Sequence, residues 1–475
     1  MANRPPHVSA AASQRSRTHS YIVLSLLTGL AIAGPAAAQL RPVAIEGATI
    51  LSGTGLTVPQ GTVTFQGGKI TAVGKDIPSS LLTRKIAARG KFVTPGFIDA
   101  SSTLALRLQL VGGMPTALAC DAFDRYAQDE IRSAWRDGIT TIYLPARAAS
   151  GIGGYGSVIR LAATDDPNEL VLRGKATLCA TIAAAGPQGT IARVKATEDL
   201  RRRFRAARDY RDAWNGYEES VKEYETKLAE RNKKEPSTKP AAAEDAAKKE
   251  GPPPEPKKPE PTEKKDEKKE ELKKPDEPGK DRGAEVLLRV IDGELRLQVE
   301  AHDPADILNA LDLAEEFNLA IILEGATGAH LVADRLAKMN VPVVLTAPPA
   351  PVAFVAGPAR YERPNTAALL RKAGVDVYFG TGVLPNPETA PHLPLTVARA
   401  VGYGFGADAA LTAMTAGAAR LLGVEKEIGR IEAGLQADLV VWSDHPFAPG
   451  AQVERVFVAG HEVYRAGQEH QEPEE

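Results

Sequence analysis

Between residues 300 and 380, short apolar runs alternate with segments that have an apolar stripe at helical spacing. Ala305–Phe317 places five apolar side chains on one helical face. The apolar runs LAIILEG, VPVVLT and VDVYFG lie before or after such segments. Buried strands that alternate with amphipathic helices predict a parallel α/β fold. The extent of the pattern, residues 92–422, fits eight such units, a (β/α)8 TIM-like barrel, with one large insertion.

The two ends of the chain have a different pattern. GTVTFQGGKITAVG near the beginning and VERVFVAGHEVY near the end are short alternating runs separated by glycines, which is typical of antiparallel strands. We therefore predict one small β-sandwich that is built from residues 39–91 and residues 423–475 together and flanks the barrel.

Residues 1–38 have the pattern of a cleaved signal peptide. Arg15 and Arg17 precede the apolar run YIVLSLLTGLAIA, and the small residues AAA come directly before Gln39. The alternative is a membrane anchor, but the run is shorter than the roughly 20 apolar residues that a spanning helix needs. We expect a mature protein that begins near Gln39, is periplasmic or secreted, and has no membrane attachment after cleavage.

The large insertion, residues 201–283, has two parts. From Arg201 to Asn232 the sequence is highly charged and has aromatic residues at helical spacing, which predicts an amphipathic helix. A Lys-, Glu- and Pro-rich stretch follows, in which Leu272 is the one large apolar residue before Val286. Such a stretch cannot offset the entropy cost of ordering, so we predict a disordered linker; a partner-binding tail is the alternative.

The charge and the cysteines exclude some functions. The chain has 58 basic and 60 acidic residues, a formal net charge of −2, which provides no basic field for nucleic acid or for a membrane surface. Cys120 and Cys179 are able to pair in an exported protein, although a core of this size needs no disulfide. Their spacing does not suggest a zinc site.

Three segments carry a family resemblance. They are GKFVTPGFIDA after the first β segment, DGITTIYLPARAASGIGGYGSVIRL in the middle, and ALTAMTAGAARLLGVEKEIGRIEAGLQADLVVWSDHPF near the end. The chain resembles the amidohydrolase superfamily, specifically its imidazolonepropionase-like branch. The resemblance implies an active site at the carboxyl ends of the barrel strands, with one or two divalent metal ions that activate water. The implied reaction is hydrolysis of non-peptide C–N bonds, such as those of cyclic amides.

The residues that the resemblance assigns to the metal site are altered in this chain. The HxH pair of the first strand corresponds to Ser101 and Thr103, and a neutral hydroxyl is a poor zinc ligand. The histidine of the fifth strand corresponds to Glu300, and that of the sixth strand to Gly325. The catalytic aspartate after the eighth strand corresponds to Gly382. We therefore expect a degenerate site without its usual metal; the fourth-strand ligand has no clear counterpart in ATLCATIAAAGPQ.

Four polar residues are candidates for a remaining site at the barrel mouth: Asp99, Glu300, His302 and Glu324. Glu300 and His302 lie two residues apart, so on a strand they face the same side. The four residues form either a rebuilt single-metal site, with zinc as one candidate ion, or an inert polar cluster. The lost family ligands favour the polar cluster.

Other motifs have weaker functional interpretations. GIGGYG fits the pattern GxGxxG, but no helix pattern follows it, so we predict a glycine loop at the end of the second strand and no dinucleotide site. We expect His330 at a helix start, His392 in a solvated loop, and His445 in the β-sandwich, remote from any site.

These observations leave three functions open. The first is a catalytically silent paralogue, for example a subunit that pairs with an active amidohydrolase, because ligands and base are lost from separate strands. The second is an active hydrolase with a rebuilt carboxylate and histidine site. The third is a module that binds a small ligand. No GxSxG elbow or Ser-His-Asp order supports nucleophilic catalysis.

Overall fold

The computed structural model describes residues 41–78, 80–106, 113–164, 166–182, 189–234, 272–346, 361–382 and 392–468. The predicted signal peptide and most of the predicted linker, residues 235–271, lie outside these ranges. None of the helices within them combines the length and the apolar character that crossing a membrane requires.

The two ends of the chain form one sheet, as predicted. Its strands are β1 (Val43–Leu51), β2 (Thr57–Gln66), β3 (Lys69–Gly74), β4 (Arg84–Ala87), β5 (Phe92–Pro95), β14 (Leu439–Trp442), β15 (Val453–Val458) and β16 (His461–Arg465). The order is β16-β15-β14-β5-β1-β2-β3, and β4 pairs with β1. Because β5 pairs with β14 and β1, the boundary predicted at residue 91 is too early: residues 92–95 belong to this sheet.

The second sheet is the barrel. Its strands are β6 (Phe97–Asp99), β7 (Ile139–Leu144), β8 (Gly151–Arg160), β9 (Val171–Thr181), β10 (Arg296–Ala301), β11 (Ile321–Gly325), β12 (Val343–Thr346) and β13 (Val377–Gly380). They neighbour each other in chain order. A parallel bridge between Ser102 and Gly382 connects the last strand to the first, and Gly382 N donates to Ser101 O at 2.8 Å. The predicted barrel is therefore confirmed.

Strand β8 departs from the predicted pattern. It runs antiparallel to both β7 and β9, so the second and third strands form a hairpin with no helix between them. The motif GIGGYG is part of this strand, and the predicted glycine loop is wrong. The glycines permit close packing: a Cβ on Gly156 would lie 1.9 Å from Tyr143 Oη, and one on Gly154 would lie 2.5 Å from Ala117 O.

Helices cover the outside of the barrel and close its floor. They are α1 (Gln128–Arg136), α2 (Pro167–Leu170), α3 (Gly189–Lys234), α4 (Arg282–Ile291), α5 (Pro304–Phe317), α6 (Ala333–Lys338), α7 (Thr366–Lys372), α8 (Leu393–Gly402), α9 (Ala407–Met414) and α10 (Ala416–Leu422). Helix α10 packs Ala418 and Leu422 against Ile98 and Tyr143 of the barrel interior. With the floor closed, the opposite, carboxyl end of the strands is where a site can form.

Capping residues set several helix starts. Asp281 accepts from Gly283 N at 2.8 Å and Ala284 N at 3.0 Å at the start of α4. Asp303 accepts from Ala305 N at the start of α5, which has Pro304 in its first turn. Asn365, which precedes α7, forms no side-chain capping hydrogen bond.

Helix α3 confirms the helical half of the insertion. It has 46 residues, which corresponds to a length of roughly 69 Å. Its first half buries Leu200, Phe204 and Ala207 on the barrel, and the ring centroids of Phe204 and Phe317 of α5 are 5.4 Å apart. Its second half extends beyond this contact.

Candidate functional site

Three of the predicted acids lie at the carboxyl ends of barrel strands. Asp99 ends β6, and Glu300 and Glu324 lie near the ends of the adjacent strands β10 and β11, where they are directly paired in register. Parallel strands bring their carboxyl ends to one face of a barrel, and sites on this fold form there. The sequence therefore located the mouth of the barrel correctly.

The structure adds a residue that the sequence analysis missed. Arg147 follows β7, is 7% exposed, and reaches into the barrel mouth. Its Nη2 forms an ion pair with Glu324 and donates to Ser101 Oγ at 2.8 Å, while its Nε lies 3.4 Å from Glu300 Oε2. A single guanidinium thus contacts both glutamates.

Protein groups contact all four carboxylate oxygens of these two glutamates. Glu324 Oε1 accepts from Ser101 Oγ at 2.5 Å as well as from Arg147, and Glu324 Oε2 accepts from Gln298 Nε2 at 2.8 Å. Glu300 Oε2 accepts from Thr181 Oγ1 at 3.5 Å, and Glu300 Oε1 lies 3.7 Å from His302 Nε2. Both carboxylates therefore already interact with groups of the protein itself.

The charge of Arg147 controls the ionisation of Glu300. Burial favours the protonated form of this carboxyl, but Arg147, His302 and Thr181 together outweigh burial and lower the pKa of Glu300 to about 2. Glu300 is therefore a carboxylate at every physiological pH.

Asp99 lies in a separate hydrogen-bond cage. Its Oδ1 accepts from Ser101 N at 3.1 Å and Thr381 N at 3.0 Å, and its Oδ2 accepts from Thr381 Oγ1 at 2.6 Å. Burial nevertheless prevails over these bonds and raises the pKa of Asp99 to about 6. Ser101 connects the two groups, since its amide donates to Asp99 and its hydroxyl donates to Glu324.

His302 fills the space beside Gly325. A Cβ on Gly325 would lie 2.4 Å from His302 Cε1, and Gly325 has a φ of +83°. A side chain at this family position is therefore incompatible with the present place of the imidazole. His302 is 7% exposed, and its Nδ1 has no hydrogen-bond partner among the described residues.

At the other altered family positions, neighbouring residues also pack closely. Thr103 Oγ1 donates to Gly382 O at 3.4 Å. A Cβ on Gly382, which has a φ of +75°, would lie 2.8 Å from the Cβ of Thr346. On the fourth strand, Thr181 is paired in register with Glu300, which gives it a place in the cluster that the sequence did not assign.

The donor set does not fit a divalent ion. Within the described ranges, no three His, Cys, Asp or Glu side chains are grouped as the ligands of one metal would be. An ion at Glu300 and Glu324 would have to displace Arg147, whose positive charge already lies against both carboxylates. Of the four residues of the predicted rebuilt metal site, Glu300 and Glu324 contact the guanidinium and His302 lies beside Glu300, while Asp99 lies in its own hydrogen-bond cage.

The remaining predicted residues lie elsewhere. His392 is exposed at the start of α8, with Nδ1 2.8 Å from Asp137 Oδ1, and His330 lies in a 3₁₀ turn. His445 packs edge-on to Phe92 of the terminal sheet. Cys179 and Cys120 are free thiols; Cys179 Sγ lies 3.3 Å from the hydroxyl of Tyr143 in the barrel interior.

Comparison with known proteins agrees with this fold. The amidohydrolase family model matches residues 289–463. A crystal structure of an amidohydrolase from Thermotoga maritima is similar over 89% of this chain and 100% of that chain, with a TM-score of 0.66 and 25% identity. A prolidase crystallised with N-methylphosphonate-L-proline has a TM-score of 0.50 at 17% identity, which shows the shared fold alone.

Sequence similarity to curated proteins is local. The imidazolonepropionase of Legionella pneumophila (strain Corby) is 41% identical over 76 residues, 16% of this chain and 19% of that protein. The amidohydrolase tasK of Hapsidospora irregularis is 28% identical over 184 residues, 37% of this chain and 18% of that protein. The chain thus spans about a fifth of the length of these relatives. Together with the barrel and the terminal sheet, these partial similarities support a relationship to the amidohydrolase superfamily.

Proposed function

We propose that this chain is a catalytically silent amidohydrolase that acts by binding. The observation that carries the proposal is the position of Arg147, in contact with Glu300 and Glu324 at the carboxyl ends of the strands. A guanidinium supplies positive charge where a metal ion would, but it has no open coordination site and cannot generate a hydroxide at neutral pH.

The altered family positions support the same conclusion. By resemblance, Ser101, Thr103 and Gly325 replace metal ligands and Gly382 replaces the base. Restoring one residue is insufficient, because a side chain at Gly325 meets His302 and one at Gly382 meets Thr346. Hydrolysis of a cyclic amide or of a proline dipeptide, the activities suggested by the names of its relatives, is therefore not expected of this chain.

Export and partnership complete the proposal. The pattern of residues 1–38 supports a periplasmic or secreted protein. The retained fold with a substituted site supports a role as a subunit beside an active amidohydrolase, and the nearly neutral surface charge argues against nucleic acid as the partner.

Metal content tests the proposal most directly. The mature chain is purified without chelator, offered zinc, manganese and iron, and analysed by elemental mass spectrometry; its folding is checked by circular dichroism. We expect far less than one metal ion per folded chain and no hydrolysis of cyclic amides or Xaa-Pro dipeptides. Near-stoichiometric metal that disappears in Glu300→Ala, together with turnover, would establish the rebuilt metal site instead.

A small-ligand-binding module is the second candidate. Arg147 Nη1 and His302 Nδ1 are buried and have no hydrogen-bond partner within the described ranges, which are features of a site that accepts a polar ligand after a small rearrangement. This candidate predicts thermal stabilisation that grows with ligand concentration and no turnover. A thermal-shift screen of small carboxylic acids and lactams distinguishes it from the subunit role, for which co-purification with the active relative is the expected result.

A further inference from the structure

The outer half of helix α3 carries an apolar stripe of its own. Tyr210, Trp214, Tyr217, Val221 and Tyr224 follow one another at alternating spacings of four and three residues, so they lie along one face of the helix. We call these five residues the aromatic stripe. They are half-buried, whereas most other residues in the outer half of α3 are exposed. The ring centroids of Trp214 and Tyr217 are 5.8 Å apart. Some part of the chain must therefore cover the stripe.

The segment Leu272–Lys280 has a matching pattern. It forms no helix or strand, and its sequence is LKKPDEPGK. Leu272, Pro275 and Pro278 are half-buried, and the residues between them are exposed. A period of three residues in a proline-containing segment is that of the polyproline II helix, which presents one face at every third residue.

The aromatic stripe and this segment meet at one end. Asp281 N lies 3.5 Å from Tyr210 Oη, and a cavity of about 300 Å³ is lined by Tyr210, Trp214, Lys280 and Leu288, among others. From this point the nine steps from Leu272 to Asp281 span about 28 Å in polyproline II geometry. The stripe from Tyr210 to Tyr224 spans about 21 Å along the helix, so the segment is long enough to follow all of it.

We propose that the aromatic stripe is a recognition surface for polyproline II chains with an apolar residue at every third position. Its occupant is the chain's own segment Leu272–Lys280. Flat aromatic rings at helical spacing form shallow apolar slots, and the rigid polyproline II helix loses little entropy when it enters them. Docking brings the end of the insertion back along α3, so that Leu272 lies beside the outer part of the helix.

The test compares two pairs of substitutions in the full-length mature chain. Pro275→Gly/Pro278→Gly removes two of the three half-buried side chains of the segment, and Asp276→Gly/Glu277→Gly is the matched control on its exposed side. The emission of Trp214 is isolated by subtracting the spectrum of Trp214→Phe, since the other two tryptophans, Trp135 and Trp442, are buried away from this segment. Tryptic cleavage after Lys273, which precedes Lys274 in every variant, reports release of the segment. Cleavage after Lys274 is not counted, because trypsin does not cleave before Pro275 and the proline variant would create a new site there.

We expect the proline variant alone to show a red-shifted Trp214 emission and on the order of tenfold faster cleavage, with unchanged circular dichroism of the barrel. A synthetic peptide of residues 272–281 restores the emission, and a peptide with Gly in place of Leu272, Pro275 and Pro278 does not. Equal effects of the proline and control variants, or no effect of either, would overturn the proposal. A concentration-dependent dimer that the proline variant abolishes would mean that the occupant comes from a second copy.

Discussion

Replacing Arg147 by methionine tests the central feature of the barrel mouth. Methionine keeps most of the side-chain volume but removes the charge that Glu300 and Glu324 share. Glu300 has a pKa of about 2, against an ordinary value of 4.5. A shift of this size corresponds to about 3 kcal/mol of stability above pH 4.5. Breaking a buried pair by removing one partner typically costs about 3–5 kcal/mol.

The variant should also reverse the pH dependence of stability. In the native chain Glu300 has a lowered pKa, so its contribution is present above pH 4.5 and is lost as the pH falls toward 2. In Arg147→Met, burial dominates and raises the pKa of Glu300, so stability should fall as the pH rises from 4.5 to 7. Urea denaturation followed by circular dichroism at several pH values measures both effects.

The control for this experiment removes the acids together with the cation. Arg147→Met/Glu300→Gln/Glu324→Gln has no unpaired buried charge and should regain most of the lost stability at pH 7. If Arg147→Met unfolds at the same urea concentration as the native chain at every pH, the guanidinium does not stabilise the two buried carboxylates.

Three further predictions concern neighbouring residues. Zinc should stabilise Arg147→Met but not the native chain, because the variant frees carboxylate oxygens; a thermal shift in both proteins would contradict this. Asp99 has a pKa raised from 3.8 to about 6, so this carboxyl alone should lower the stability of the native chain by about 3 kcal/mol as the pH rises from 4 to 6. Asp306, whose pKa is also raised to about 6, contributes in the same pH window, so Asp99→Asn should make the slope in urea titrations shallower without abolishing it, and an unchanged slope would exclude a contribution of Asp99. Gly325→Ala should cost about 2 kcal/mol or more because its Cβ meets His302, and less in a His302→Ala background; equal costs in both backgrounds would exclude the steric cause.

Local patterns were sufficient for most of the fold. The strands β10 to β13 and helix α5 follow from apolar runs and helical spacing, because burial on both faces of a strand is visible in the sequence itself. The terminal sheet was predicted from short alternating runs separated by glycines, and the helical half of the insertion from aromatic residues at helical spacing. Asp99, Glu300 and Glu324 were placed at the mouth by the rule that parallel strands end on one face.

The missed features depend on contacts between distant elements. Arg147 is a lone basic residue in the run LPARAASG, and only the position of β7 in the barrel directs it toward Glu324. Strand β8 runs antiparallel to its neighbours and packs Gly156 against Tyr143, and no local periodicity in the sequence records either feature. Likewise, His302 covers Gly325 only because β10 and β11 pair with Ala301 opposite Gly325.

The terminal sheet has a consequence for the order in which the chain folds. Trp442 Nε1 donates to Thr94 Oγ1 at 2.9 Å across a separation of 348 residues, and β5 pairs with β14 in the middle of the sheet. Until β14 has been synthesised, β5 is an open edge with free backbone groups, and such edges promote aggregation. The barrel is thus able to form before its companion sheet, and contacts of such long range close slowly. We therefore expect residues 439–465 to dock last during folding. A chain that stops before this step would have an intact barrel and an unpaired edge at β5, which would promote aggregation.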